Sequence, residues 1–203
     1  GKPRATQLSA TYEVPYLEHA PLEPLNCTVH VQADRCDLWV GTQSPQAAQA
    51  GAAKLTGLST EKVFVHIPFL GGGFGRRSET DFSDWAVKLA KHFDVPVKLI
   101  WSREECFARG FYRPAMLCRL SASWNAQGRI TDWDVKIVGQ NILGRFAPDL
   151  IANSKWGTFP VHEGLSDHPY DFQREQLRYL RIKNPVPVRW WRSVHGTPQA
   201  FFR

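Results

Sequence analysis

Hydrophobic and polar positions alternate over Leu25 to Gln32, with Cys27, Val29 and Val31 on one side, and this predicts a strand. Ala33-Asp34-Arg35 turns the chain, and Cys36 to Gly41 reads as the hairpin partner. Ser44 then suits an N-cap and Pro45 a first helical position, with Gly57 as the stop after Thr56. An apolar strand over 61–68 runs into Gly71-Gly72-Gly73-Phe74-Gly75-Arg76-Arg77. Beyond that loop Phe82, Trp85, Ala86, Leu89, Ala90 and Phe93 recur at 3–4 spacing, the stripe of a helix packed on a core. Val97 to Trp101 predicts a strand, and Ser102-Arg103-Glu104-Glu105 a capping box for a short helix.

Alternation returns at 116–124 and 129–138, around Asn125-Ala126-Gln127-Gly128, which predicts a long hairpin. Thr11 to Tyr16 reads as a short edge strand and Leu177 to Ile182 as another strand. From Gly139 to Asp171 the periodicity fades into a loop-rich stretch with Gly144, Pro148, Gly157, Pro160 and Gly164. A last helix begins near Pro198. The order is mixed and does not alternate as a doubly wound sheet would, so the expected class is α+β, with mixed sheets, hairpins, βαβ-like units and one main core.

Four glycines in five residues change this picture from fold to chemistry. They permit φ > 0 and leave backbone N–H groups uncovered. Such groups can converge on an anion beside a helix start, and Arg76 and Arg77 follow, ready for phosphate. The loop reads as a cofactor cradle; a tight strand-to-helix turn with no ligand competes, because a lone glycine motif is unspecific. Gln43 falls between a strand end and a helix start, a usual place for ligand contacts, and can equally be an exposed loop amide. The loop has neither Gly-Lys-Ser/Thr nor G-x-G-x-x-G, which weighs against P-loop and Rossmann domains.

Composition adds limits. The 203 residues are 43% hydrophobic and 22% charged, with 25 basic and 19 acidic side chains and a formal charge of +6. The basic residues are scattered and the aromatics follow core periodicity, so nucleic acid is not indicated. The apolar runs are too short to span a bilayer. No signal peptide is visible, and the compartment, periplasmic or cytoplasmic, stays open. Cys27, Cys36, Cys106 and Cys118 have neither zinc nor [2Fe-2S] spacing, so they read as buried thiols.

Six segments in order carry a resemblance. They are 20–27 (Ala-Pro-Leu-Glu-Pro-Leu-Asn-Cys), 41–46 (Gly-Thr-Gln-Ser-Pro-Gln), 71–76 (Gly-Gly-Gly-Phe-Gly-Arg), Tyr112-Arg113-Pro114, 163–170 (Glu-Gly-Leu-Ser-Asp-His-Pro-Tyr) and Trp191-Arg192-Ser193-Val194. Together they cover nearly the whole chain. The sequence resembles the molybdopterin-binding subunit of the xanthine dehydrogenase and aldehyde oxidase family, in particular the isoquinoline 1-oxidoreductase beta branch.

The resemblance implies a molybdenum hydroxylase. Such an enzyme inserts oxygen from water into a C–H bond of an N-heterocycle or aldehyde. Its molybdenum rides on molybdopterin, usually the cytosine dinucleotide, and its electrons leave through [2Fe-2S] clusters on a small partner subunit. By the matching segments, Gln43 would hydrogen-bond an oxygen ligand of molybdenum or the pterin beside it. Gly72, Gly73, Phe74 and Gly75 would approach the cofactor with backbone N–H groups. Arg76 stands where the commoner pattern has glycine, and Arg77 where it has lysine. Arg192 matches an arginine whose backbone lies near the metal, and Arg113 a position that orients substrate in some members, although a structural arginine before a proline turn reads as well. The family's general-base glutamate lies far toward the C-terminus of the subunit. The resemblance therefore makes 1–203 a molybdopterin-binding domain fragment, with no catalytic residue or protein metal ligand of its own, inactive without the rest of its subunit. A metal-free scaffold piece is the alternative.

Overall fold

In chain order the elements are β1 (Thr6–Val14), β2 (Asn26–Val31), β3 (Cys36–Val40), α1 (Pro45–Thr56), β4 (Val63–His66), α2 (Asp81–Ala90), β5 (Val97–Ile100) and α3 (Arg103–Arg109). They continue with β6 (Met116–Trp124), β7 (Ile130–Gly139), α4 (Leu143–Phe146), β8 (Arg174–Arg181) and α5 (Gly196–Phe202). These come from a computed structural model that describes residues 6–146 and 161–203. The chain divides into two compact units, one running Glu18–Phe111 and the other combining the chain before Glu18 with Tyr112–Arg203. Each has its own hydrophobic cluster, so there are two cores where the sequence led us to expect one.

In the Glu18–Phe111 unit four strands lie in the order β4-β3-β2-β5. The β2–β3 hairpin is antiparallel, β5 pairs antiparallel with β2, and β4 runs parallel to β3. β3, α1 and β4 thus form a βαβ unit, which turns the carboxyl ends of two neighbouring strands the same way. The core face takes Leu25, Cys27, Val29, Leu38 and Val40 from the sheet region, all essentially solvent-free. Against them lie small residues of α1 (Ala52, Ala53) and larger ones of α2 (Phe82, Val87). The α1 bounds follow the expectation, and Gly57 closes the helix at φ +80° with its N–H on Ala53 O. Ser44 occupies the cap position without a side-chain bond. Instead Thr42 Oγ1 accepts the Ser44 N–H at 3.0 Å.

Two readings need correction here. The helix after the glycine loop does not run straight out of it, because a 3-10 turn over Arg76–Ser78 intervenes before α2. The stripe of α2 is also rotated. Its buried face is Phe82, Ser83, Ala86, Val87 and Ala90, while Trp85, Leu89 and Phe93 are exposed. Both sets satisfy 3–4 spacing, so periodicity alone could not separate them.

The other unit is a sheet in the order β1-β6-β7-β8, antiparallel except for β7 with β8. The β6–β7 hairpin is the expected one: Asn125 Oδ1 accepts the N–H groups of Gln127 and Arg129, and Gly128 sits at φ +77°. β1 starts earlier than read, at Thr6, and pairs along its whole length with β6. β8 also starts earlier, at Arg174. The core is Val14, Met116, Cys118, Leu120, Val135 and Ile137, closed by Val161, Leu165 and Phe202. Part of the loop-rich stretch therefore contributes core residues; Pro148, Gly157 and Pro160 lie outside the described residues. All four cysteines are free and buried. Cys27 pairs across the hairpin with Val40, and Cys36 with Val31.

Candidate functional site

The parallel pairing of β3 and β4 brings the two strongest sequence candidates together. β3 ends at Val40 and leads through Gly41-Thr42-Gln43 into α1, while β4 ends at His66 and leads into the glycine loop. Crevices at the carboxyl ends of neighbouring parallel strands are where open α/β units hold ligands. Here Gln43 Oε1 accepts the Gly75 N–H at 3.0 Å, which ties the two loops to each other. That bond fixes the direction of the side-chain amide. Its NH2 group, with no partner among the described residues, is left as a free donor on an exposed side chain.

The glycines are required by this packing. A Cβ at Gly73 would lie 2.4 Å from Gln43 Oε1, and one at Gly71 2.5 Å from Glu23 Cβ. Gly72 and Gly75 adopt φ +97° and +99°, where L side chains are strained. Phe74 itself sits at φ +53°, an uncommon choice for an aromatic residue, with its ring beneath Gly72. Around the loop stand exposed apolar side chains: Phe69 is fully exposed, Leu22 91% and Phe74 41%.

The two arginines do something other than wait for phosphate. Both are fully buried. Arg76 places its two terminal nitrogens on the Asp81 carboxylate at 2.8 and 2.7 Å, and its guanidinium lies 5.1 Å from the Phe111 ring centroid. Arg77 donates from Nε to Gly72 O at 2.8 Å, from Nη1 to Gly41 O at 3.1 Å, and from Nη2 to Glu23 O at 3.0 Å and Glu23 Oε2 at 2.9 Å. Pro24 O shares Nη2 at 3.3 Å. Its own carbonyl accepts the Gln43 N–H and the Thr42 hydroxyl.

Burial lowers the pKa of the Arg77 guanidinium, and the Glu23 charge opposes this. Burial likewise works against ionised Glu23, but the Gly71 N–H, the Asn26 amide and Arg77 together hold its carboxyl below the ordinary range. Removing Glu23 leaves the fully buried Arg77 guanidinium without its counter-charge, a destabilising change. Sequence reasoning missed Glu23 as part of this site, and read Arg77 as facing a phosphate where the side chain turns inward. The available signal was the second arginine, placed where only one was needed for an anion.

Arg113 and Arg192 belong to the other unit. Arg113 is buried, donates Nη2 to Pro15 O at 2.8 Å, and lies 5.7 Å from the Trp191 ring centroid. Among the described residues its Nε has no partner and no carboxylate pairs with it. Burial lowers its pKa. Arg192 is exposed, and its carbonyl accepts the Thr197 hydroxyl at 2.9 Å. Directly after it, Ser193 and Val194 both take φ > 0, at +61° and +53°. Such strain in a β-branched residue persists only where the surroundings over-determine it.

Fold and loop together define an α+β domain whose strand ends carry a glycine-lined, side-chain-poor surface beside a fixed amide. The profile of the molybdopterin cofactor-binding domain matches residues 3–202, and the chain belongs to that family. It is 39% identical over 185 residues to the isoquinoline 1-oxidoreductase subunit beta of Brevundimonas diminuta, covering 90% of this chain and 23% of that protein. It is 28% identical over 200 residues to the nicotine 6-hydroxylase large subunit of Paenarthrobacter nicotinovorans, covering 97% and 24%. The fold matches the aldehyde oxidoreductase of Desulfovibrio gigas at TM-score 0.70 and 16% identity, over 97% of this chain and 21% of that one. It matches the quinoline 2-oxidoreductase of Pseudomonas putida 86 at TM-score 0.66 and 15% identity, over 94% and 24%. The chain thus spans about a quarter of the length of these relatives. Its homologues are oxidoreductases, and no helix among the described residues is long and apolar enough to cross a membrane.

Proposed function

We propose that this chain forms part of the molybdenum-cofactor site of an oxidoreductase that hydroxylates an N-heterocycle or an aldehyde with oxygen from water. The observation that carries the reading is the Gln43 amide, whose oxygen is held by the Gly75 N–H so that its NH2 group is presented beside bare glycine backbone. A pterin fits such a place: it is flat, has polar edges and apolar faces, and needs close backbone approach. The exposed rings of Phe69 and Phe74 offer apolar cover beside that surface.

When bound, the molybdenum–molybdopterin group, in this reading the cytosine dinucleotide form, supplies the two-electron redox chemistry. The residues of this chain bind and orient. Gln43 Nε2 donates to a cofactor oxygen, a bond worth about 1–3 kcal/mol in a dry site. Gly72, Gly73, Phe74 and Gly75 provide backbone contact, and Arg76 braces the loop from beneath through Asp81. Arg192 contributes backbone from its strained turn, and Arg113 orients substrate through a guanidinium that no carboxylate neutralises among the described residues. We assign no catalytic acid, base or metal ligand to this chain. Turnover, on this reading, requires the remainder of the subunit, and electrons pass to a small partner subunit carrying [2Fe-2S] clusters.

A metal-free scaffold role is the second reading. It draws on the same bond, since Gln43 and the loop already satisfy one another without a ligand. Metal and pterin analysis of the full-length subunit, co-expressed with its iron–sulfur partner, separates the two. Near-stoichiometric molybdenum in the wild type and a marked loss in Gln43→Leu are expected. A folded wild type without molybdenum favours the scaffold, and full molybdenum in Gln43→Leu moves the cofactor elsewhere.

A further inference from the structure

We propose that Arg77 is the positioning residue of the glycine loop, and that its planar fork, rather than its charge, sets the loop against Gln43. The inference rests on the cofactor-cradle reading of that loop. Three segments far apart in sequence meet on this one side chain: 23–24, Gly41 and Gly72. Its backbone carbonyl holds a fourth point, the Gln43 N–H at 2.9 Å. The side chain has no exposure. Each of its three nitrogens already donates to a protein carbonyl or to Glu23, and the side chain is fully buried, so it cannot reach a phosphate without dismantling the loop.

The Nε bond has a geometric consequence. Because the Gly72–Gly73 peptide is planar and trans, fixing the Gly72 carbonyl on Arg77 turns the Gly73 N–H to the opposite side, away from Arg77. The same residue therefore aims one backbone donor of the loop and anchors the backbone of Gln43, whose side chain is the other donor. A guanidinium reaches Gly72 and Gly41 from different nitrogens of one rigid plane. A lysine ammonium is a single point on a flexible stem, so even where it reaches two carbonyls it does not fix them in one plane. Glu23 completes the arrangement by neutralising the buried charge and accepting the Gly71 N–H at 2.8 Å.

The test uses the full-length subunit with its small partner, as wild type, Arg77→Lys and Arg77→Gln. Two readouts are taken: retained molybdenum and pterin after gel filtration, and amide hydrogen exchange in the unloaded protein over 41–44 and 70–78. Exchange in both segments is expected to speed up about tenfold or more in Arg77→Lys as well as in Arg77→Gln, with 116–139 unchanged. Cofactor retention is expected to fall in both variants, and the Mo(V) electron paramagnetic resonance signal of any retained metal to shift.

If Arg77→Lys exchanges and retains cofactor like the wild type while Arg77→Gln does not, charge suffices and the positioning role is overturned. Unchanged exchange in both variants overturns it too. A wild type free of molybdenum defeats the cradle reading, yet the exchange data still judge the clamp by themselves. If the Arg77 variants do not fold, Glu23→Gln and Thr42→Val loosen the same clamp one contact at a time. The positioning role then requires faster exchange over 70–78 in the first and over 41–44 in the second, and is overturned without it.

Discussion

At Gly73 the missing side chain leaves the space that the Gln43 amide occupies. A side chain there meets Gln43 before it meets any ligand, since the added Cβ falls 2.4 Å from Oε1 and 2.7 Å from Cδ of that residue. Gly73→Ala must therefore displace Gln43 and break its bond to the Gly75 N–H. Gln43→Ala breaks the same bond but opens the space that the new methyl group needs. The two substitutions should consequently be non-additive in a direction that a ligand-only account of the glycine does not give. Gln43→Ala alone is expected to cost about 1 kcal/mol for the lost hydrogen bond. Gly73→Ala alone is expected to cost about the same, because the atoms it meets are the far end of a flexible, exposed side chain that can swing aside, and the double variant less than the sum by about 1 kcal/mol. Thermal unfolding of the cofactor-free full-length subunit measures all three. Strict additivity would mean that Gln43 is not what fills the space over Gly73.

At the scale of elements, α2 makes two predictions of opposite size from residues that look alike in sequence. Phe82 is fully buried beneath the sheet, whereas Trp85, one turn on, is 57% exposed with Lys88 Nζ 4.5 Å above its ring. Phe82→Ala should cost about 3–5 kcal/mol, the usual result of opening a cavity, and Trp85→Ala less than about 1 kcal/mol. Chemical denaturation of the full-length subunit, followed by circular dichroism, distinguishes these. Equal costs would put Trp85 in a core. The same helix marks the limit of what was legible in the sequence. Local signals carried well: Pro45 and Gly57 bracket α1, Ser102 Oγ caps α3 on the Glu105 N–H, and Asn125 to Gly128 turns the β6–β7 hairpin. Each is decided by residues within a few positions of one another. Which side of α2 faces the sheet is decided by residues far away, and 3–4 spacing admits two answers. The site divides likewise. Gln43 and the glycines could be read from their neighbours, but the inward turn of Arg77 depends on Glu23 and Gly41, which only the fold brings within reach.

The whole molecule holds two cores with unequal tolerance of acid. In the Glu18–Phe111 unit two carboxylates keep most of their stabilising effect until the pH is well into the acid range. Hydrogen bonds from Arg35, with further help from His66, hold Asp37 down to about 2 against its burial, and Glu23 is also lowered. Stability from such groups is present above their unfolded values and fades only as pH falls through the depressed ones. The other unit carries the opposite kind of group. His195, 1% exposed, has no hydrogen-bond partner for either ring nitrogen among the described residues, and burial pushes its pKa down to about 4. Its neutral form alone is tolerated, so the unfolded chain takes up a proton that the folded one refuses. This costs nothing above pH 6.5 and grows as pH falls toward 4, to about 3 kcal/mol at full effect. Acid should therefore loosen the unit containing α5 first. Hydrogen exchange of the full-length subunit between neutral pH and pH 4, corrected for the intrinsic rate, is expected to show protection falling over 116–139 and 196–202 while 26–40 stays closed. His195→Phe should abolish that difference by removing the titrating ring while keeping an aromatic of similar shape. Persistence of the acid loss in His195→Phe would assign it to other groups, and simultaneous opening of both regions in the wild type would mean that the two cores unfold as one.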